Sequence, residues 1–282
     1  DVSQPSYVEV KTLQEILLAS EYIGFPCIVK ATDSSGSRGV NKVNSSSGLE
    51  PAFYDAQAVS SSGIILIETF INGIEIGAQT FSQEGECLLC FVHNDELAVN
   101  SSLVPIGHSY PSKLKSFNVN KIRTEIIKTL DALGINDGPA NVDIIFSDDG
   151  IPYIIEVGAR AGATCLPELT HRHTGINWAE IIIENALGQK VNLQKIDNTP
   201  TAAFILESQY DGMLKAVVHN YDINQYLRYK PIIKIDVNIG DCVSVLRKGT
   251  DRVGSLVISA DTVDEAEKIA HELRSKIMFE VI

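Results

Sequence analysis

Two hydrophobic periods alternate along this chain, and together they lay out its elements. Leu13, Ile16 and Leu17 share one face of a short helix predicted over 12–20. Residues 25–31 read as a strand, 39–43 as a second one, and the small-residue stretch between them makes the pair a hairpin with a long tip. Ser45, Ser46 and Ser47 are expected to cap a helix over 48–59. Residues 64–68, IILIE, are almost wholly apolar, which predicts a strand buried on both faces. Strands over 75–82 and 87–94 pair around Glu84-Gly85, and an amphipathic helix spans 121–133. Two further strands, 138–146 and 153–157, flank the turn Ser147-Asp148-Asp149-Gly150, and a helix over 178–187 stops at Gly188. Beyond Asn198 the pattern changes to short strands and turns, closed by a helix over 263–277, which places a subdomain boundary between Val191 and Pro200.

The 282 residues are 44% hydrophobic and 21% charged, enough apolar mass for a full core and more length than one average domain. No apolar run approaches the roughly 18 residues of a membrane helix. A net charge of -13 argues against nucleic acid as the main partner. One local basic spot stands out, Lys30, Arg38 and Lys42, offset by Asp33. Five cysteines in a chain this long do not make a disulfide scaffold; reduced thiols and a cytoplasmic setting are expected. Cys87 and Cys90 form a CxxC, but on a strand their odd offset sends them to opposite faces, so they read as buried strand cysteines. The first residue is Asp, with no signal peptide after it.

Candidate chemistry lies in three segments. KATDSSGSRGV, residues 30–40, puts six small residues behind a strand, where exposed backbone N–H groups suit phosphate oxygens. It has neither the GxxxxGK[ST] of a P-loop nor the GxGxxG of a dinucleotide turn. The remaining readings are a flexible tip folded over a nucleotide, with Lys30 beneath and Arg38 at the tip, or a solvated hairpin loop. A lysine ending an apolar strand must snorkel or meet a charge. In GPANVDIIFSDDGIPYIIEVGARAGA, residues 138–163, Asp143 and Glu156 can face each other across a hairpin. Paired oxygen ligands on apolar strands suit Mg²⁺; the plain alternative is a solvent-facing edge. Arg160 follows closely and could grip a phosphoryl group or carboxylate bidentately, or turn back to one of the same acids. ILIETFINGIEIG, residues 65–77, offers a strand end for an adenine edge, with Glu75 placed for ribose or simply starting a strand. His108 lies in a loop, IGHSYP, while Glu168, His171 and His173 read better as a surface helix-end cluster than as a metal trio.

Taken in order, IVKATDSSGSRGV, LIETFINGIE and NVD…IIEVGAR resemble the ATP-grasp superfamily over about 5–187, and the tail 237–273 is similar to the small C-terminal domain of L-amino-acid-ligase-like members. The resemblance implies an α+β fold: two α+β subdomains, 1–70 and 71–192, clasping ATP, and a small C-terminal α+β domain, 193–282. It implies an ATP-dependent carboxylate–amine ligase that forms an acyl phosphate and joins small molecules such as amino acids. In that reading Lys30 contacts phosphate or adenine, and Ser34, Ser35, Gly36, Ser37, Arg38 and Gly39 cover the phosphates. Glu68, Thr69, Phe70 and Ile71 line adenine, Glu75 binds ribose, and Asp143 and Glu156 hold Mg²⁺ or Mn²⁺. Arg160, with Lys30, serves the transferring group, and His108 and Gly162 lie on the substrate side. Partners would be a small carboxylate, a small amine and, as in many relatives, a second copy in a homodimer. Two departures matter: Gly158 stands where the family pattern E-x-N-x-R has asparagine, and the chain starts after the usual preATP-grasp domain. Bicarbonate activation, as in carbamoyl phosphate synthases or biotin carboxylases, and a non-catalytic nucleotide-binding module are the rival readings.

Overall fold

A computed structural model describes residues 2–98, 104–193 and 196–282. The first lobe is a four-stranded antiparallel sheet with two helices on one face. Its strands are β1 (Tyr7–Val10), β2 (Cys27–Ala31), β3 (Asn41–Val43) and β4 (Ile65–Thr69), in the order β1-β4-β2-β3, and its helices are α1 (Leu13–Ile23) and α2 (Leu49–Val59). Thr12 starts α1 with a capping box, accepting from Glu15 N while the Glu15 carboxylate returns to the Thr12 N–H. The serines at 45–47 do not cap α2. They form a 3-10 turn in which Ser45 and Ser47 hydroxyls bond each other, and Gly48 takes the cap position without a side chain.

Strand alternation divides β2 and β4 between two environments. Val29, Ile65 and Ile67 are fully buried against Ile16, Leu49 and Phe53 of the helices. Lys30, Leu66 and Glu68 point the other way, into a cleft. The expected two-sided burial of 64–68 therefore holds on one face only. The second face, carrying Leu66 and Glu68, lines the cleft instead of a packed layer.

The second sheet has eight strands. They include β5 (Gly73–Gln83), β6 (Glu86–Leu97), β7 (Pro105–Tyr110), β8 (Gly138–Ser147), β9 (Pro152–Gly158) and β10 (Thr201–Leu206). Three strands follow β10 before the last two: β11 (Gly212–His219), β12 (Ile232–Ile235) and β13 (Cys242–Val243), then β14 (Gly254–Ser259) and β15 (Ile277–Val281). The large sheet runs β12-β14-β10-β7-β6-β5-β8-β9, while β13-β11-β15 form a small separate sheet. Helix α3 (Ser116–Leu133), which starts before the predicted 121, packs Ile122, Ile126 and Leu130 against Ile76, Ala78, Val142 and Ile144. On the opposite face α4 (Leu166–Thr174) and α5 (Trp178–Ala186) set Leu169, Trp178 and Ile181 on Phe81, Phe91 and Tyr110. β7 was not anticipated from the sequence, and α4 only as the helix end expected at Glu168, His171 and His173.

Register is shifted between Phe81 and Ser82, where β5 meets β6. That bulge puts Leu88 and Leu89 against one core and both Cys87 and Cys90 against the other, so the cysteines share a face contrary to their odd spacing. A further core lies in the C-terminal part, where α6 (Val263–Ser275) packs Ala266, Ala270 and Leu273 under Phe204, Leu256 and Ile258, while Ala203 and Val257 join the core of α4 and α5. Yet β10, β12 and β14 extend the same eight-stranded sheet as the acidic hairpin. Residues 194 and 195, inside the expected boundary between Val191 and Pro200, lie outside the described residues. Among the described residues no helix is long and apolar enough to cross a membrane.

Candidate functional site

A cleft of about 620 Å³ separates the first sheet from β5, β8 and β9. Lys30, Glu68, Thr69, Phe70 and Ile71 form its wall on the first sheet, Ser34, Ser35, Gly36, Ser37 and Arg38 overhang it, and Glu75, Asp143 and Glu156 lie opposite. Loop and acidic pair thus belong to one cavity. The loop is anchored at its base: Asp33 accepts from the Ser60 hydroxyl at 2.9 Å and from the N–H groups of Ser61 and Ser62 at 2.9 and 2.6 Å. Those bonds, the Ser60 hydroxyl's first, hold the Asp33 carboxyl below its usual range. Asp33 therefore faces the 60–62 turn rather than the basic residues it was expected to offset. At the tip, Gly36, Ser37 and Gly39 all adopt positive φ, and Arg38 Nε donates to Ser35 O at 3.0 Å. The Ser34 hydroxyl is buried without a partner.

Lys30 meets a charge, as a lysine ending an apolar strand must. Its Nζ is 2.8 Å from Glu68 Oε1, and both side chains are largely buried. The two sit diagonally on adjacent strands, because Ile28 is the register partner of Glu68 and Leu66 that of Lys30. Lys42 lies over the Phe70 ring, 3.6 Å from its centroid.

Across the cleft, Asp143 and Glu156 are direct register partners on β8 and β9. Burial, then the charges of Asp95 and Glu156, push the Asp143 carboxyl up to about 6, against the hydrogen bond from Asn141. Glu75 is pushed up to about 7 by burial, then by Asp95 and Asp143. Four carboxylates thus crowd one end of the sheet face, and they repel one another with no described lysine or arginine paired to Asp143 or Glu75. Such a floor favours a bound cation.

Sequence reasoning missed the middle of this face. His93 and His108 both direct Nδ1 at Asp95 Oδ1, at 2.7 and 2.5 Å. Burial alone would raise the Asp95 carboxyl; the two imidazoles overcome it through charge and hydrogen bonds and hold it well below the usual range. His93 leans over Gly77, where a Cβ would stand 2.3 Å from the ring, so glycine is required there. The Nε2 atoms of both histidines are buried without a partner. The only signal in the sequence was period two: His93 and Asp95 alternate on β6 as Asn141 and Asp143 do on β8.

Four of the expected site residues lie outside the cleft lining. His108 is in strand β7 rather than a loop, and it is 5% exposed, because the Asp95 bond draws it into the sheet. Gly39 packs on α2 instead of covering the cleft; a Cβ there would stand 2.5 Å from Val59 Cγ2. Gly162 is buried, its N–H bonded to Gln79 Oε1 at 2.9 Å. Arg160 is exposed just past β9, folded over Gly158, with Nη1 donating to Ala161 O at 2.9 Å rather than to either acid. His173 is not part of a surface cluster: it is buried, stacked on Tyr110 with centroids 4.6 Å apart, and burial lowers its pKa.

Comparison with known proteins places this geometry among relatives. The ATP-grasp domain family model matches residues 23–168, more than half of the chain. D-alanine–D-alanine ligase B of Clostridium perfringens is 26% identical over 204 residues, 68% of this chain and 65% of its own length. Protein y4rH of Sinorhizobium fredii is 24% identical over 95% of this chain and 56% of its own length. The chain therefore spans between about half and two thirds of these curated relatives. L-amino acid ligase from Bacillus licheniformis superposes on all of this chain with a TM-score of 0.83 at 22% identity, over 68% of its own length, a likeness of fold. Phosphoribosylglycinamide synthetase from Anaerococcus prevotii covers the whole chain with a TM-score of 0.74 at 26% identity, over 70% of its length.

Proposed function

The chain belongs to the ATP-grasp family, and from that premise we propose that it is an ATP-dependent carboxylate–amine ligase. One observation carries the reading. The small-residue loop and the in-register pair Asp143/Glu156 face each other across a single cleft, with Lys30 on the first wall.

The residues fit the groups this reading needs. The unpartnered, buried Ser34 hydroxyl and the positive-φ tip suit phosphate oxygens. The repelling acids Glu75, Asp143 and Glu156 suit a divalent cation. Asp143 and Glu156 would hold Mg²⁺ or Mn²⁺, which supplies positive charge against phosphate oxygens when bound. Lys30 and Arg38 bring further positive charge from the opposite side, Glu68, Thr69, Phe70 and Ile71 present backbone and ring to the base, and Glu75 reaches the sugar hydroxyls. Arg160, free of both acids, is available to the transferring phosphoryl group.

In the proposed reaction a substrate carboxylate oxygen attacks the γ-phosphorus of ATP, and ADP leaves. The amine then attacks the acyl carbon, phosphate leaves with the bonding pair, and the amine gives up a proton. Positioning and charge neutralisation supply most of the catalysis. The relatives support this class: a D-alanine–D-alanine ligase in sequence and an L-amino acid ligase in fold. A bicarbonate-activating reading draws on the carbamoyl phosphate synthase large chain of Thermomicrobium roseum, 28% identical over 202 residues. ADP release across amino-acid and bicarbonate panels separates the two: amino-acid dependence is expected, and bicarbonate dependence would replace the ligase reading. Glu156→Ala and Lys30→Ala are expected to abolish ATP binding or turnover. Full activity in both, or tight ATP binding with no ADP formed on any substrate, would remove the proposal's basis.

A further inference from the structure

Asp143 is the end of a chain of amides that starts on the loop carrying Arg160. The Gly162 N–H donates to Gln79 Oε1 at 2.9 Å. Gln79 Nε2 donates to Asn141 Oδ1 at 2.6 Å, and Asn141 Nδ2 donates to Asp143 Oδ1 at 2.8 Å. The orientation of both side-chain amides is fixed by the first link, because a backbone N–H can only donate. Gln79 must therefore turn its oxygen to Gly162 and its nitrogen to Asn141. Asn141 must in turn offer its oxygen to Gln79 and its nitrogen to Asp143. The remaining Gln79 Nε2 proton reaches Ala78 O at 3.3 Å, so this 1%-exposed side chain is fully used.

Packing enforces the same arrangement. Gln79 and Asn141 are register partners on β5 and β8. Asn141 in turn faces Gly158 on β9, so no side chain competes with it for Asp143 from that strand. Gly162 is needed at the other end: a Cβ there would stand 2.7 Å from both Asn141 Oδ1 and Gln79 Nε2 and 2.5 Å from Leu166 Cδ1. Of Gly162, Gln79, Asn141 and Asp143, only Asp143 lines the cleft, and a run of neutral amides ending on one carboxylate oxygen serves no packing need of an apolar core.

We propose that Gly162–Gln79–Asn141 is a positioning relay that pins the Asp143 carboxylate by Oδ1, leaves Oδ2 for the divalent cation, and couples that cation to the Arg160 loop. The relay rests on the ligase reading of the cleft. It also accounts for Gly158, since the amide that serves the acidic pair comes from β8 instead of β9.

The test uses Gln79→Met, Asn141→Leu and the double variant. Mn²⁺ affinity is read from the free-ion electron paramagnetic resonance signal in the presence of a non-hydrolysable ATP analogue. Nucleotide affinity is read separately in chelator. Each single variant is expected to weaken Mn²⁺ binding about 10-fold and to alter the bound-Mn²⁺ spectrum, with nucleotide affinity in chelator unchanged. The double variant is expected to lose no more than the worse single one, because breaking a chain twice breaks it once. Melting curves check folding, and Gln79→Met alone decides should Asn141→Leu not fold. Mn²⁺ affinity within about twofold of the parent in folded Gln79→Met, or losses that simply add, would overturn the relay and leave the ligase reading standing. A parent protein that binds neither nucleotide nor Mn²⁺ would overturn the ligase reading, and the relay with it.

Discussion

Replacing Asp143 by asparagine is expected to stabilise the metal-free protein while removing its response to the metal. The side chain is half-buried among acids, and its carboxyl is raised from 3.8 to about 6 by burial, then by Asp95 and Glu156. A raised carboxyl binds its proton more tightly folded than unfolded, so the native state loses stability as pH climbs from about 4 to about 6. Below the unfolded value the penalty is absent; above the folded value it is complete. A difference near two pKa units corresponds to about 3 kcal/mol. Asparagine keeps the volume and still accepts from Asn141 Nδ2, so the relief is not offset by a lost hydrogen bond. For a chain of this size about 3 kcal/mol moves Tm by roughly 5 °C. Calorimetry in chelator at about pH 8 should show Asp143→Asn melting above the parent, and the gap should close at about pH 4. With Mg²⁺ and nucleotide added at the higher pH, the parent should gain stability and the variant should not. A variant that melts at or below the parent at about pH 8 in chelator would refute the reasoning, since burying an ionised carboxyl beside other acids would then not be the strain stored at this site.

Two other perturbations read different parts of the same machinery. Gly39→Ala combines a φ of +69° with a Cβ 3.0 Å from Ala56 Cα, and should lower stability by about 1–3 kcal/mol and speed proteolysis within 34–39; an unchanged urea midpoint would detach the loop base from α2. Asp95→Leu strips the shared acceptor from two buried imidazoles, a loss of roughly 3 kcal/mol by urea denaturation, and it should also ease Glu75 towards ordinary acidity, which a carbon-13 NMR titration of the Glu75 carboxyl would show.

The parts of the site that were legible in the sequence are those written as local contrast. A lysine closing an apolar strand, a glycine–serine run behind it, and single acids inside Val-Asp-Ile-Ile and Ile-Ile-Glu-Val each break a hydrophobic period, and each lines the cleft. What stayed hidden depends on partners distant in sequence. Gln79 looks like an ordinary strand polar residue until register sets it beside Asn141, 62 positions away. His108 reads as a loop residue because IGHSYP carries glycine and proline, yet pairing with β6 and β10 on both sides makes it a central strand. The bulge at Phe81/Ser82 reverses the cysteine prediction for a similar reason: strict alternation assumes a register that only the neighbouring strand decides. The shared sheet of β7 and β10 was equally out of reach, since no local pattern announces that a C-terminal strand returns to the central one.

The distribution of charge explains why the two walls need something between them. On the first sheet Lys30 is already committed to Glu68, and Lys42 lies on Phe70, which leaves Arg38 as the cation of the loop tip bonded only to Ser35 O among its described contacts. On the other wall Asp95 is neutralised by two histidines, but Asp143 and Glu75 are held against their own charge. A polyanion placed in such a cleft alone would meet repulsion from one side and a single uncommitted guanidinium from the other. A divalent ion at Asp143 and Glu156 reverses that balance: it relieves the acids, lets Glu75 ionise near neutral pH, and turns the acidic floor attractive to phosphate. Binding of cation and polyanion should therefore be mutually dependent, each weak without the other, and cation binding near pH 7 should release protons from the floor. Calorimetric titrations in buffers of different ionisation enthalpy measure that proton count directly, and a count of zero would place the cation somewhere other than beside Asp143 and Glu75.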